Sequence, residues 1–391
     1  MLAAERAHGN VVMLLVMLFA PLIVSLFAHA TPTADVRDVS ALLKPIRAEF
    51  DVPGMVCVVV EAGQITARGA EGLRKRGGTE ALTIDDKIHI GSNTKSMTAT
   101  LCALLVEEKK LAWDAKVVDA FPELATKIDP GWRDVRLQQL LTNHGGAPAE
   151  LSAGGLWTKL WSHTGTPREQ RMALVTGVLS RPPEAPPGTK FIYSNAGFSI
   201  AGAMAERALD APYEDLMRKY LFAPLSMKSA GFGAPGSRAQ VDQPRGHTSN
   251  GKPVEVGPAA DNPIAIQPAG RVHCSLPDWA KYVTAHLLGE KDADDGTKHI
   301  LSATSFVKLH TPLVDDASKY AMGWIASGKA PERRLWHNGS NTMWYAEATL
   351  ALDEGWAVLV AVNQGGDPAQ HAAEKLTALL IDQLSKTKAP K

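Results

Sequence analysis

Ser92 and Lys95 are three positions apart at the start of an apolar segment. In a helix, residues with this spacing lie on the same face, about one turn apart. A serine hydroxyl becomes an effective nucleophile when a neighbouring base takes its proton, and a lysine amine is such a base. S-x-x-K is a short pattern that also arises by chance, so its interpretation depends on further residues that fit the same chemistry.

Tyr193 and Asn195 form a second candidate pair, preceded by a Pro-Pro-Gly turn at residues 186–188. A tyrosine can act as a general acid or base if nearby cations lower its pKa from the usual value of about 10. The asparagine amide offers both a donor and an acceptor to a substrate amide. The alternative interpretation is a loop tyrosine beside an asparagine that caps the next helix.

The third candidate is His337-Asn338-Gly339-Ser340, which precedes a strand-like segment. Gly339 has no Cβ, which lets a substrate backbone approach closely. The N–H group of Ser340 can pair with that of Ser92 to stabilise an oxyanion. Asn-Gly is also a strong turn signal, so the alternative is a hairpin turn with a surface histidine.

Other catalytic patterns are weak or missing. Residues 197–201 read G-F-S-I-A, which lacks the last glycine of the G-x-S-x-G nucleophile elbow, and no strand leads into them. H-E-x-x-H and C-x-x-C do not occur, and the twelve histidines are dispersed. We therefore expect no metal and no cofactor.

Strands are predicted at both ends of the chain. Strand-like segments at 55–61 and 64–69 predict a hairpin around Ala62-Gly63. Similar runs at 344–352 and 357–363 predict a second hairpin around the Asp-Glu-Gly turn at 353–355.

Helices are predicted mainly in the middle of the chain. Apolar residues at helical spacing predict helices over residues 36–50, 135–142, 168–179 and 199–208. A last helix is expected to start at Asp367-Pro368. Residues 230–270 are rich in Gly, Pro, Asp and Asn, which predicts a long ordered loop. After it, Ser275 is the expected N-cap of a helix, with Asp278 in the first turn.

This distribution predicts an α+β fold. We expect one antiparallel sheet built from both chain ends and flanked by N- and C-terminal helices, with a mostly helical lobe inserted in it. The sheet lobe would comprise residues 36–110 and 211–386 and the helical lobe residues 111–210, with the active site between them.

Composition sets further limits. The chain has 391 residues, 45% of them apolar, so it can bury a full globular core. Lys plus Arg and Asp plus Glu number 41 each, without a long run of one sign. Neither nucleic acid nor an anionic membrane surface is therefore expected as a partner.

Residues 1–30 have the features of a signal peptide: a positive charge at Arg6, an apolar run at 11–27 and an A-x-A site at 28–30. We expect a periplasmic or secreted catalytic domain of residues 31–391. The alternative is an uncleaved membrane anchor, because the apolar run is only slightly shorter than a membrane span.

The cysteines, Cys57, Cys102 and Cys274, are odd in number and scattered, which is not the pattern of a disulfide framework. Cys57 lies in a strand-like run and Cys102 in the helix after Ser92, so both are interpreted as small buried hydrophobes. The sequence leaves open whether these two form a bridge.

The three motifs occur in the order S-x-x-K, Y-x-N and H-x-G. With their flanking residues they resemble the superfamily of serine β-lactamases, DD-peptidases and family VIII esterases, from about residue 36 to residue 385. The flanking segments that carry the resemblance are IGSNTK (90–95), QLLT (139–142), PGTKFIYSN (187–195), PAG (268–270) and YAMGW (320–324).

The resemblance implies a β-lactamase/transpeptidase-like fold and a serine hydrolase that forms a covalent acyl-enzyme. It implies that Ser92 is the acylated nucleophile, Lys95 its partner in activation, and Tyr193 the general base and acid, as in the class C enzymes. Asn195 is implied to contact the substrate or to orient Lys95.

Many relatives carry a lysine where this chain has His337. A lysine is a permanent cation for a substrate carboxylate, whereas a histidine is mostly neutral at pH 7 unless carboxylates raise its pKa. The histidine disfavours carboxylate-bearing β-lactams, so we expect a DD-peptidase-like or esterase-like hydrolase acting on a small molecule or peptide. The alternatives are a class C-like β-lactamase and a non-catalytic penicillin-recognising or scaffold protein.

Overall fold

The computed structural model describes residues 35–291 and 299–388 of the chain. Residues 1–30, interpreted above as a signal peptide, lie outside the described residues. Within the described ranges the strands are β1 (Arg37–Asp38), β2 (Gly54–Glu61), β3 (Gln64–Gly72), β4 (Ile88–His89), β5 (Gly231–Phe232), β6 (Gly246–His247), β7 (Pro253–Val254), β8 (Val272–Cys274), β9 (Tyr320–Ala321), β10 (Trp324–Ser327), β11 (Arg334–Ser340), β12 (Tyr345–Ala351) and β13 (Trp356–Val362).

The helices in the same ranges are α1 (Ser40–Glu49), α2 (Thr94–Glu107), α3 (Val117–Ala120), α4 (Leu137–Leu141), α5 (Leu156–Ser162), α6 (Pro167–Leu179), α7 (Asn195–Leu209), α8 (Tyr213–Met217), α9 (Gln267–Gly270), α10 (Leu276–Leu288), α11 (Ala303–His310) and α12 (Asp367–Lys388). Helices thus dominate between β4 and β5. No described helix is long and apolar enough to cross a membrane.

Eight of the described strands form one sheet in the order β1-β3-β2-β13-β12-β11-β10-β9. All neighbours in it are antiparallel except β1 and β3, which are parallel. Near the centre of the sheet β2 pairs with β13, with Val58 opposite Leu359. The two ends of the chain therefore build one sheet, which confirms the predicted α+β fold.

Strand β13 is apolar along its whole length, and β2 is apolar up to its last residue, Glu61, because both faces of the sheet are covered. Side chains alternate between the two faces of a strand. On β2, Cys57 belongs to the apolar cluster that includes residues of α1 and α12, whereas Val58 belongs to the cluster that includes residues of α10. A strand buried on both faces has no polar alternation, which explains the continuous apolar runs in the sequence.

Both predicted hairpins are confirmed. Ala62 and Gly63 connect β2 to β3 with φ values of 48° and 79°, as a tight two-residue turn requires. The turn at residues 353–355 joins β12 to β13, and Gly355 has a φ of 73°. The turn residues therefore predict correctly where these paired strands end and begin.

Helices α4 and α6 begin within two residues of their predicted starts, whereas two other helices begin four residues away from theirs. The first was expected from residue 36, but α1 begins at Ser40, because residues 37–38 pair with β3 instead. The predicted helix over 199–208 is longer and begins at Asn195, because the Ser194 hydroxyl accepts a hydrogen bond from Gly197 N–H and caps it. The tyrosine–asparagine motif consequently ends in the first turn of α7.

Residues 230–270 are more structured than predicted. They contain the short strands β5, β6 and β7 as well as α9. Strand β5 pairs with β8, which ties the segment to the body of the protein. The predicted cap of the next helix is confirmed, since the Ser275 side chain accepts a hydrogen bond from Asp278 N–H.

Helix α2 carries the S-x-x-K motif and contributes to two apolar clusters. Leu101 packs in the cluster between the sheet and α10, and Cys102 packs in a cluster built largely of α4, α6 and α7. The start of α2 therefore lies where the helical middle of the chain meets the sheet. Burial on both sides holds this helix in place.

Candidate active site

Ser92 lies in a tight turn between β4 and α2. Gly91 precedes it with a φ of 53°, in the left-handed region that favours glycine. A Cβ on Gly91 would lie 2.4 Å from the backbone nitrogen of Ser340. The Asn93 side chain donates to the carbonyls of Ile90 and Ala346 at 2.9 and 3.1 Å. The turn is thus tied to strand β12, which leaves Ser92 half-buried at the start of the helix.

Lys95 lies one turn further along α2 and points its amine at Ser92. Its Nζ is 3.2 Å from Ser92 Oγ, 2.7 Å from Asn195 Oδ1 and 2.9 Å from the carbonyl oxygen of Ala269. The side chain is fully buried, and burial lowers the pKa of Lys95 to about 7. A large fraction of this amine is therefore uncharged near neutral pH and able to take a proton from Ser92.

Tyr193 lies directly before the cap of α7. Its ring is 4.6 Å from Lys95 Nζ, measured to the ring centroid. Although Tyr193 is 37% exposed, its hydroxyl interacts with the Ser92 side chain. The lowering of its pKa that base catalysis by Tyr193 would require is not found: burial raises the pKa of Tyr193 to about 12, and the hydrogen bond with Ser92 offsets this only in part. At neutral pH the hydroxyl keeps its proton and acts as a donor.

His337 lies on β11 and is buried. Its Nδ1 donates to the carbonyl of Asn338, so its Nε2 accepts from the Tyr320 hydroxyl, at 3.1 Å. Burial and the nearby charge of Lys95 lower the pKa of His337 to about 3. The histidine is therefore neutral at pH 7, as expected from its type, and supplies no cation for a substrate carboxylate.

Gly339 and Ser340 lie at the end of β11, beside the turn that holds Ser92. An ideal Cβ on Gly339 would lie 2.2 Å from the Ile90 carbonyl oxygen and 2.4 Å from the Ser92 nitrogen. The missing side chain thus lets the strand approach the turn that holds Ser92. The role of Gly339 in admitting a substrate backbone stays a prediction. Strand β10 pairs with β11 only as far as Trp336, so this edge of β11 is open beyond that residue.

All seven residues proposed from the sequence come together at this point of the fold. Ser92, Lys95, Tyr193 and Asn195 are linked by the contacts above, and the strand with His337 and Gly339 passes beside them. They meet because α2, α7 and β11 converge where the helical middle joins the sheet.

Two contributors were not assigned a role from the sequence, although both lie in segments that carried the family resemblance. The carbonyl of Ala269 accepts from Lys95, but a backbone carbonyl leaves no signal in residue type. Tyr320 hydrogen-bonds His337 and packs edge-on against Tyr193, with ring centroids 6.1 Å apart. Only the pairing of strands β9, β10 and β11 brings it there.

The chain is similar to several characterised proteins. It is 26% identical over 358 residues to unguisins hydrolase ungD' of Aspergillus campestris, covering 89% of this chain and 65% of that protein. It is 28% identical over 284 residues to penicillin-binding protein 4 of Amycolatopsis lactamdurans, covering 71% of each. The match to the fungal protein thus spans slightly less than two thirds of its length.

Among solved structures, the fold is similar to the octameric penicillin-binding protein homologue from Pyrococcus abyssi. The TM-score is 0.69 at 24% sequence identity, over 88% of this chain and 76% of the other. This confirms the β-lactamase/transpeptidase-like fold. The family model for Beta-lactamase matches residues 39–383, which include every residue of the site described above. This chain therefore belongs to the Beta-lactamase family.

Proposed function

We propose that this protein is a serine hydrolase that forms an acyl-enzyme on Ser92 with an ester, amide or peptide substrate. The observation that carries the proposal is the placement of Lys95 Nζ, 3.2 Å from Ser92 Oγ, in surroundings that lower the lysine pKa to about 7. A buried, partly neutral amine beside a serine hydroxyl is the arrangement that activates a nucleophile.

In the proposed reaction, Ser92 Oγ attacks the carbonyl carbon while its proton passes to Lys95. The amides of Ser92 and Ser340 stabilise the oxyanion, as donors aimed at developing charge do in acyl transfer. Tyr193, which holds its proton at neutral pH, hands a proton to the leaving alcohol or amine and regains one from Lys95. Water then attacks the acyl carbon and gives a proton to Lys95. The bond between the acyl carbon and Ser92 Oγ breaks, Lys95 returns the proton to Oγ, and a carboxylic acid is released.

The proposed substrate class follows from His337. This residue is neutral at pH 7, so at the open end of β11 it offers hydrogen bonds and adds no positive charge. A substrate that depends on pairing its carboxylate with a cation there would bind weakly. Esters and peptides without that requirement are favoured over β-lactams, and a class C-like β-lactamase remains the second candidate.

Labelling by an acylating probe tests the proposal. A fluorophosphonate should label the wild type, and Ser92→Ala should abolish labelling. Ser199→Ala is the matched control, because Ser199 is buried in α7 with its hydroxyl bonded to the Asn195 carbonyl at 2.8 Å, and it should label like the wild type. Labelling that persists without Ser92 would refute the assignment.

Turnover of three substrates would separate the candidate activities. The panel is a short p-nitrophenyl ester, a peptide ending in D-Ala-D-Ala and a chromogenic cephalosporin. We expect turnover of the ester, which carries no carboxylate, to exceed that of the cephalosporin at least about tenfold in kcat/KM, since a lost charge pairing costs about 1.4 kcal/mol or more. The peptide ends in a carboxylate, so its turnover measures whether the site accepts a substrate whose carboxylate has no cation at His337. Stoichiometric binding without any turnover would instead indicate a non-catalytic binding protein.

We also propose that the protein is exported to the periplasm or secreted. The support is the charge at Arg6, the apolar run at 11–27 and the A-x-A site at 28–30. The mass of the exported protein distinguishes cleavage after Ala30 from a retained membrane anchor.

A further inference from the structure

A buried carboxylate, Asp261, lies between the two backbone segments that would form the oxyanion hole. Its Oδ2 is 3.0 Å from His89 Nε2, and its Oδ1 accepts a hydrogen bond from Asn341 Nδ2, also at 3.0 Å. His89 ends β4, two residues before Gly91, and Asn341 directly follows Ser340 at the end of β11. The Asp261 side chain therefore joins the segment that precedes Ser92 to the segment that follows Ser340.

On the first side, the link reaches the backbone of the nucleophile turn. The N–H group of Gly91 donates to His89 Nδ1 at 3.2 Å. Because Nδ1 accepts, the ring proton lies on Nε2 and is donated to Asp261. The imidazole is fully buried, so it spans the carboxylate and the Gly91 amide as a rigid connector. The peptide next to Ser92 is held by this chain of two hydrogen bonds.

On the second side, the link fixes the end of β11. The Asn341 amide donates through Nδ2 to Asp261, and its Oδ1 accepts from Met343 N–H at 3.1 Å. These two bonds leave only one orientation of the amide. A flipped amide would turn its NH₂ group towards the Met343 N–H and its oxygen towards the Asp261 carboxylate, and would lose both bonds. Ser340 is thus followed by a residue whose side chain is anchored at both ends.

Arg271 completes the arrangement. Its Nε donates to Asp261 Oδ2 at 3.0 Å, so the buried carboxylate is held as an ion pair while it accepts from His89 and Asn341. A buried charge with a cation and several donors around it is well satisfied. The Asp261 carboxylate is therefore held in a fixed position by its hydrogen-bond and ion-pair partners.

We propose that Asp261 is a positioning residue that sets the separation of the Ser92 and Ser340 amides. This deepens the proposed function and rests on it. The two segments already touch, since a Cβ on Gly91 would lie 2.4 Å from the Ser340 nitrogen. Donors in an oxyanion hole act only when they are held in advance at the right geometry, and displacements of about 1 Å can cost about a hundredfold in rate.

Asp261→Asn tests this proposal with almost no change in shape. The new carboxamide can keep its oxygen towards His89 and Arg271, which turns its NH₂ group towards the NH₂ group of Asn341. Asn341 cannot flip without losing its bond from Met343. We expect kcat to fall about 10- to 100-fold while KM changes less than about threefold, because the loss falls on the transition state.

Exchanging the two side chains restores the pairing between positions 261 and 341. The Asn262 N–H, which donates to Asp261 Oδ1 at 2.8 Å, loses its acceptor in the single and the double variant alike and belongs to neither of the two site segments. In Asp261→Asn/Asn341→Asp, the carboxylate at 341 accepts both from Met343 N–H and from the amide at 261, while the oxygen at 261 still accepts from His89. We expect this double variant to recover kcat to within about threefold of the wild type. Asn341→Asp alone should be as slow as Asp261→Asn, because two carboxylates then face each other.

Asp278→Asn is the matched control. Asp278 is also buried and accepts hydrogen bonds from Ser229 and Lys281, but at the start of α10 and not between the site segments. The Asp278→Asn variant should lose about as much thermal stability as Asp261→Asn and keep the kcat of the wild type. Wild-type kcat in Asp261→Asn, or a double variant no faster than the single ones, would overturn the proposal.

A second measurement, amide hydrogen exchange, tests the positioning role of Asp261 independently of the proposed hydrolase activity. If neither probe nor substrate acylates the wild type, the proposed function fails, and amide hydrogen exchange then decides on Asp261 alone. Amide exchange at Gly91 and around residues 340–343 should be at least about tenfold faster in Asp261→Asn than in the wild type. In the double variant it should return to the wild-type rate. Unchanged exchange in the single variant would refute the positioning role.

Discussion

At the scale of single residues, the site contains two nitrogen bases whose pKa values burial lowers, with different consequences for each. Loss of water disfavours the charged form of both Lys95 and His337, lowering their pKa values to about 7 and about 3. For the lysine this creates a base that titrates near neutral pH. For the histidine it removes the charge over the whole physiological range, so His337 can only donate and accept hydrogen bonds.

This difference predicts how acylation depends on pH. The active form of Lys95 is the neutral amine, whose fraction rises as pH rises through about 7. We therefore expect kcat/KM for an ester substrate to increase about tenfold per pH unit well below that pKa and to level off above it. The measurement is a pH profile of kcat/KM between pH 5 and about 9.5.

His337→Asn is the control for this profile. Because His337 is already neutral there, its replacement by a neutral amide should leave the midpoint within about half a pH unit, even if the rate falls. If the rising limb disappeared in this variant, the titrating group would be the histidine and the assignment of Lys95 as base would be wrong.

At the scale of secondary-structure elements, the site exists because strand β11 touches the turn before α2. Two glycines make the contact: Gly91 with its φ of 53°, and Gly339, whose Cβ would lie 2.4 Å from the Ser92 nitrogen. The atoms that a Cβ at Gly339 would meet first, Ile90 O and Ser92 N, belong to the backbone. They cannot move aside as the end of a flexible side chain can. The strand and the turn must therefore separate if a side chain is added.

Gly339→Ala should consequently reduce kcat/KM by about a hundredfold or more, because the new methyl group pushes the two oxyanion amides apart. Kinetics with an ester substrate and thermal unfolding would measure the effect.

Gly355→Ala provides a matched comparison for Gly339→Ala. Gly355 lies in the β12–β13 turn with a φ of 73° and open space around its Cα, so the alanine costs about 1 kcal/mol of strain but touches nothing. It should lower the melting temperature and keep kcat/KM within about twofold. Equal loss of activity in both variants would show that general destabilisation, not the close approach at Gly339, is responsible.

At the scale of the whole molecule, the sheet joins both chain ends and separate apolar clusters cover its two faces. Cys57 lies in the cluster beneath α1 and α12, Cys102 in the cluster of the helical middle, and Cys274 in the cluster near α10. All three are free and buried. The bridge between Cys57 and Cys102 that the sequence left open is thus not formed.

The thiols should therefore be unreactive until the protein unfolds. Burial raises the pKa of Cys57 and of Cys102 to about 12 and raises that of Cys274 as well, so hardly any reactive thiolate exists at pH 8. A thiol reagent such as DTNB should detect almost none in the native protein and three per chain in denaturant.

Cys102→Ala should lower the denatured count of thiols to two. A count of one in the denatured wild type, purified without reductant, would reveal a disulfide and contradict the structure.

Local sequence patterns determined much of this protein. Turn residues at 62–63 and 353–355 specified both hairpins, because positive φ angles and strand periodicity are properties of a few neighbouring residues. The spacing of Ser92 and Lys95 and the order of the three motifs likewise identified the residues that meet in the site. The start of α1 was missed, since residues 37–38 gain more from pairing with a distant strand than from local helix formation.

Only the tertiary structure decided how those residues behave. From the sequence, Tyr193 can act as a base only if nearby cations lower its pKa. Burial raises that pKa instead, and in the proposed mechanism the neutral amine of Lys95 is the base. The contacts of Tyr320 with His337 and of Asp261 with both site segments join residues far apart in the chain. Desolvation and long-range hydrogen bonding depend on everything packed around a group, whereas residue type and spacing describe only its chain neighbours.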